Sequence, residues 1–333
     1  MRAFLKQFGL YVAIQLAIGA AVLWSYRRQY PSAQNFLAAS IDKHSLIRTQ
    51  APPRLIFVGG SSMAFGVNSA QIAGACGRRP VNMGLHAAVG LKFMLSEVAP
   101  RIQRSDWIVV APEYQQFIRM SGQSEMLVNM VEIDPSNARL LDSHQWADAL
   151  DRGGIQRAGK ITRAVLGRPT HFFRSNSMKT TRPFYRRIGF NHNGDMVAHL
   201  TVKSPKMTER QFQFRYREEL VSETIAQMNR FAKLAEARGA RVFFSHPPLP
   251  REVFDQNRQQ IDRLEAELKS KLVMPQLDRV EELVFPITDF FDTWYHLAAP
   301  GVEKRSKLLA SRVAQQAKDL AGVQTPVETD APR

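Results

Sequence analysis

The stretch that decides the fold is "LIFVGGSSMAFGVNS", Leu55 to Ser69, an apolar run that ends abruptly on two glycines and two serines. Four consecutive apolar residues without polar alternation read as a strand buried on both faces, which belongs to a parallel sheet covered by helices. Working outward, "NSAQIAGACG" opens on a capping residue, Asn68 or Ser69, and closes on Gly77. It predicts a short helix before a second strand at Pro80-Val81. "LKFMLSEVAPRI" reads as a helix and "DWIVVAPEY" as a third buried strand. Strand, helix, strand, helix, strand is the rhythm of a parallel α/β sheet.

That rhythm lapses between about 118 and 207, a region rich in Arg, Asn, Ser and Met and read as an irregular insertion. Its stretch "RAGKITRAVLGRPTHFFRSNSMKTTRPFYRR" is either a solvated surface or a cap that meets an anionic partner. Regularity returns with a long helix from Thr208 to Gly239, the strand "RVFFSHPPLP", the helix "QNRQQIDRLEAELKSKL", a last strand "ELVFPITDFF" and an amphipathic helix over roughly 299–320. The tail, 323–333, reads as disordered.

The amino-terminal end has a different composition. Phe8 to Tyr26 carries no charge and, at a helical rise of 1.5 Å per residue, spans about 28 Å, close to a bilayer core, with Tyr11, Trp24 and Tyr26 toward its ends. Residues 1–29 are therefore expected to be a single-pass signal anchor. Residues 30–53 follow as a juxtamembrane helix stopped by Pro52-Pro53, and 54–322 form the main domain. Arg2 and Lys6 on one side balance Arg27 and Arg28 on the other, so charge leaves the orientation open.

With 45 Lys+Arg against 30 Asp+Glu, the net charge of +15 favours an anionic partner without choosing among them. The single Cys76 excludes an internal disulfide framework and a cysteine-rich metal site. Histidines 144, 171, 192 and 199 show no ligand spacing, so neither metal nor cofactor is expected. Aromatics among the basic residues near Phe172, Phe173, Phe184 and Tyr185 resemble a nucleic-acid surface in composition. No nucleic-acid motif accompanies them, and with an anchor ahead of them the expected partners are the lipid bilayer and an acidic or acylated polymer.

In open parallel sheets ligands sit beyond the carboxyl ends of the strands, which is where Gly59-Gly60-Ser61-Ser62 falls. A following helix would turn its N–H groups toward developing negative charge. The phosphate-loop patterns G-x-x-x-x-G-K-[ST] and G-x-G-x-x-G are both absent after this strand.

"GSSMAFG" resembles the first block of the SGNH (GDSL-like) hydrolases, in which a glycine follows four residues after the serine; Ser62 and Gly66 stand in that relation. Ser61 replaces the usual Asp, as in membrane-anchored relatives such as the D-alanine transfer and alginate-acetylation groups. "VNMGLHAAVG" resembles the second block, whose backbone N–H serves the oxyanion hole, with Gly84 and Ala87 as candidates. "VVAPEYQQF" lies where the third block has an Asn, and carries Glu113 instead. "DFFDTWYHLAAPGVEKRS" resembles the closing Asp-x-x-His block, lengthened by one residue to Asp292-x-x-x-His296, with Asp289 as a second possible acid.

The resemblance implies a three-layer α/β/α SGNH fold, flavodoxin-like, and a catalytic set of Ser62, His296 and Asp292 with an acyl-serine intermediate. It also implies a periplasmic domain on a bacterial inner membrane. There the domain acts as an esterase or O-acyltransferase on envelope polysaccharide, with a membrane-bound acyltransferase as a further possible partner. A non-catalytic envelope scaffold and a membrane-held lipase or thioesterase are the competing readings. His86, near the oxyanion loop, is either a turn residue or a substrate contact, and His246, ending a strand at the same sheet edge, either lines the pocket or belongs to the core.

Overall fold

The computed structural model describes residues 33–148, 184–205 and 212–323, together with Met1, Phe4 and residues 6–15, 17 and 18. Labels below begin at residue 33. Four parallel strands, β1 (Arg54–Gly59), β2 (Arg79–Asn82), β3 (Trp107–Ala111) and β4 (Arg241–Phe244), lie in the order β2-β1-β3-β4. Their register pairs Ile56 with Val81 and Ile108, and Val109 with Phe243.

Side chains alternate across this sheet as strand geometry requires. Leu55, Phe57, Trp107, Val109 and Phe243 point to one face and join Ile72 of α3 (Ser69–Gly74) with Leu309 and Val313 of α9 (Ala299–Val323). Ile56, Val58, Ile108, Val110, Val242 and Phe244 point to the other. There they meet α4 (Leu91–Val98), α7 (Glu218–Ala237) and α8 (Arg251–Lys271) through Phe93, Val221 and Ile261, while α5 (Ser124–Ile133) and α6 (Ser143–Asp148) lie between α4 and α7 in the chain. Leu55 to Val58 are each at most 1% exposed, so each contributes about 1.5–3 kcal/mol of burial, which is why this run is apolar on both faces. The result is an α/β fold with helices on both sides of a parallel sheet.

The far end of the sheet is pinned by charge. Arg54 at the start of β1 donates from Nε and Nη2 to the two carboxylate oxygens of Asp106 at 2.9 and 2.5 Å. Its Nη1 reaches the Ile47 carbonyl at 2.6 Å, which ties α1 (Ala39–Thr49) to the domain. Both partners are fully buried, so the bidentate geometry and the added carbonyl bonds offset the cost of removing two charges from water.

Three elements differ from the sequence expectation. The last strand is only β6 (Val284–Phe285), and it pairs with β5 (Leu249–Pro250) in a separate two-stranded sheet. The place beside β4 is taken by a single parallel bridge, Phe244 to Gln276, because Pro275 removes a donor there. The long helix runs from Glu218 to Ala237, with 212–217 outside it, and its expected start, Thr208, lies outside the described residues. The helix expected over 30–53 is the shorter α1, whose Ile47 and buried Lys43 pack on the domain. Among the described residues no helix is long and apolar enough to cross a membrane; the expected span Phe8–Tyr26 lies in part outside them. So do most of the basic stretch between 149 and 183 and the tail beyond 323.

Candidate active site

The order β2-β1-β3-β4 reverses between β1 and β3, and the carboxyl ends of those two strands are the place where open parallel sheets set their ligand crevice. From β1 emerge Gly60, Ser61 and Ser62, from β3 Pro112 and Glu113. Ser62 lies in the single turn α2 (Ser61–Ala64) and is fully buried. Its Oγ makes no hydrogen bond among the described residues.

Close approach, rather than a left-handed backbone, explains the glycines of this segment. A Cβ on Gly60 would stand 2.6 Å from Glu113 Oε1 and 2.9 Å from Ala87 Cα, so β1, β3 and the loop after β2 converge on one point. At Gly66 a Cβ would meet the Ser62 carbonyl oxygen at 2.2 Å and Arg305 Nη1 at 2.7 Å. The glycine four residues after Ser62 thus makes room for Arg305, which is buried in α9 and donates to that carbonyl at 2.8 Å. Burial lowers the Arg305 guanidinium to about 10, against the attraction of Asp278 and Glu113, and it remains charged at neutral pH.

His296 is oriented from one side. Its Nδ1 lies 2.8 Å from Asp292 Oδ1 and 2.9 Å from Tyr185 Oη, and the Tyr185 hydroxyl donates to Asp292 Oδ2 at 2.8 Å. An ionised carboxylate can only accept, so the proton of the neutral imidazole belongs on Nδ1 and the lone pair on Nε2. The ring stacks on Phe65, three residues after Ser62, with centroids 4.0 Å apart and planes 11° from parallel. The additional residue between Asp292 and His296 is accommodated because Thr293 Oγ1 accepts the N–H groups of both Tyr295 and His296. Asp289 does not join this group; it pairs with Lys304 at 2.6 Å.

The oxyanion candidates separate. The Gly84 N–H donates to Asn82 Oδ1 at 2.8 Å, so it serves the loop rather than the crevice. Asn82 also donates from Nδ2 to the Met63 carbonyl and to Asp195 Oδ1, which makes it the brace between the Ser62 turn and the returning chain. The Ala87 N–H has no acceptor among the described residues, and Ala87 stands against Gly60. The Ser62 N–H donates to Glu113 Oε1 at 2.8 Å, and Ser61 Oγ donates to the same oxygen at 3.1 Å. Glu113 is 3% exposed; burial raises its pKa above the usual carboxylate value, opposed by the Ser62 N–H and by the charges of His296 and Arg305.

His86 accepts the Ala88 N–H on Nδ1 and caps the turn at Ala87; burial, with His296 nearby, lowers it to about 4. His246 does not line the crevice. It lies 1% exposed between Asp278 at 2.8 Å and Glu265 at 2.7 Å; burial opposes its charge, but these two hydrogen bonds outweigh it and raise it to about 9.

Sequence reasoning did not single out Tyr185, His199 or Asp195 for the site. Asp195 accepts from Asn82 Nδ2, from the Ser69 N–H and from Ser69 Oγ, and His199 Nε2 donates to the Leu297 carbonyl beside His296. The signal that marks this return is "FNHNGDM", in which Phe190 and Met196 bridge across a turn carrying Gly194 at φ +89°.

A scan against protein-family models finds no model that matches this chain, and a search of curated proteins finds no similar one. The reading of the site therefore rests on its own geometry.

Proposed function

We propose that the protein is a membrane-anchored serine esterase or O-acyltransferase of the SGNH type, which acts on an acylated cell-envelope polymer through an acyl-serine intermediate. The observation that carries this reading is the Tyr185–Asp292–His296 group at the switch point that also holds Ser62. A carboxylate on Nδ1 fixes the tautomer in which Nε2 is a base and stabilises the imidazolium that forms.

In the proposed reaction Ser62 Oγ attacks the ester carbonyl while its proton passes to His296 Nε2. The tetrahedral oxyanion collapses, the C–O bond to the alcohol breaks, and the leaving oxygen takes the proton from His296. Water or an acceptor hydroxyl then attacks the acyl-serine with the same histidine as base, which yields hydrolysis or transfer. Ser62 Oγ makes no hydrogen bond to His296 among the described residues, and the proposed step requires the two to come within hydrogen-bond reach when the ester binds. The Ala87 N–H is the backbone donor suited to the oxyanion.

The uncharged Phe8–Tyr26 segment and the net charge of +15 support an anchored protein with an anionic or lipid partner. On this reading the full chain stays in the membrane fraction after alkaline carbonate washing, while a chain beginning at residue 33 is released. Release of the full chain would contradict the anchor.

A second reading, a non-catalytic envelope scaffold, draws on the engagement of the Ser62 N–H by Glu113 and on the unpaired Ser62 Oγ. Reactivity of Ser62 toward a fluorophosphonate separates the two: the enzyme labels, and the scaffold does not.

A further inference from the structure

Glu113 stands where an oxyanion hole needs donors, and as a carboxylate it would be the worst possible neighbour for a developing negative charge. Its geometry specifies a different state. Oε1 accepts two hydrogen bonds, from the Ser62 N–H at 2.8 Å and from Ser61 Oγ at 3.1 Å, the carboxyl group is buried, and it forms no ion pair among the described residues. A buried carboxyl group without a paired cation favours the neutral acid, and in a neutral acid that keeps both accepted bonds on Oε1 the proton sits on Oε2.

The carboxyl group is fixed from several sides. The Glu113 N–H donates to Gln116 Oε1 at 2.8 Å, Gln116 Nε2 donates to the Ala87 carbonyl at 3.3 Å, and Gly60 leaves no space between Oε1 and Ala87. We infer that Glu113 completes the oxyanion hole as a neutral acid, its Oε2–H donating to the oxyanion opposite the Ala87 N–H while its Oε1 holds the Ser62 N–H. Ser61, in place of a second carboxylate, is then required by the site: an acid at 61 would lie against Glu113, whereas a hydroxyl donates to it.

The charged groups that face Glu113 are His296 from the C-terminal loop and Arg305 from α9, with His86 and Asp292 behind His296. His296 and Arg305 favour the carboxylate, and burial favours the acid. A productive site needs neutral His296 and neutral Glu113 together. Reactivity therefore falls on the alkaline side as Glu113 loses its proton and with it the donor to the oxyanion.

The inference rests on the reading of Ser62 as a nucleophile, and two measurements on the detergent-solubilised full chain keep the two apart. The first is the pH dependence of fluorophosphonate labelling in wild type and Glu113→Gln. Wild type is expected to lose about tenfold in rate per pH unit on the alkaline limb, and the Gln variant, a permanent donor, less than about twofold. A descending limb that persists in Glu113→Gln overturns the inference. The second is infrared difference spectroscopy across pH, which needs no activity. A protonated carboxyl band at neutral pH that is missing in Glu113→Gln supports the assignment, and a Glu113 already ionised at neutral pH overturns it even if Ser62 never labels.

Discussion

Tyr185 shows how much a single hydroxyl does in this site. It donates to Asp292 Oδ2 and lies 2.9 Å from His296 Nδ1, so it limits rotation of both groups about their shared hydrogen bond. Tyr185→Phe is expected to slow the maximal labelling rate of Ser62 about tenfold, equivalent to about 1.4 kcal/mol, with little change in the half-saturating probe concentration. A melting temperature within a few degrees of wild type would accompany it, since one hydrogen bond contributes about 1 kcal/mol. An unchanged rate would remove Tyr185 from the positioning role. Tyr185 was not legible in the sequence because tyrosines in an Arg-rich stretch have no periodicity and their partner is 107 residues away. The Asp292–His296 pair and the turn that places Ser62 at the end of β1 were legible because an acid and a histidine ahead of a last helix, and glycines after an apolar run, are local patterns. The Gly84 N–H shows the reverse, since no sequence pattern reports which way an amide points once Asn82 competes for it.

At the scale of elements, the return of chain between 184 and 205 and the loop carrying Asp278 decide how the sheet edge is held. Ser245 Oγ and both the N–H and ring of His246 bind Asp278, and Glu265 of α8 takes the other ring nitrogen, so β4, α8 and the 275–278 segment meet at one imidazolium. The folded value of about 9 lies above the 6.5 of an unfolded histidine, so the folded state binds the extra proton between these values. This contribution is fully present below pH 6.5 and is lost as pH rises through 9, a change of order 3 kcal/mol. Denaturant unfolding of wild type and His246→Gln at pH 6 and pH 9.5 is expected to show the stability difference shrinking at the higher pH; a constant difference would mean that the histidine folds neutral. The helix-strand rhythm that positions β4 was readable from its apolar run and from Gly239. The ending of the sheet was not, because Pro275 and the short run at Val284–Phe285 give weaker periodic signals than the tertiary contacts that override them.

Across the whole molecule, two ends of one sheet do different work. The amino ends are closed by the buried Arg54–Asp106 pair, and at the carboxyl ends the switch point brings Ser62, Glu113 and His296 together. Phe36, just ahead of α1, packs against Phe65 and Tyr185, so the segment nearest the expected anchor also walls the crevice. The parallel α/β class was legible at this scale because a sheet covered on both faces demands unbroken apolar strands such as Leu55–Val58. The convergence of residues from 36, 185 and 296 was not, because it depends on long-range closure.

The most direct test is fluorophosphonate labelling of the purified full chain in wild type, Ser62→Ala and His296→Ala. An activated serine predicts labelling of the wild type, none in Ser62→Ala and a loss of at least about a hundredfold in His296→Ala. A folded wild-type protein that stays unlabelled across the pH range, or labelling that survives Ser62→Ala, would contradict the assignment of Ser62 as the nucleophile.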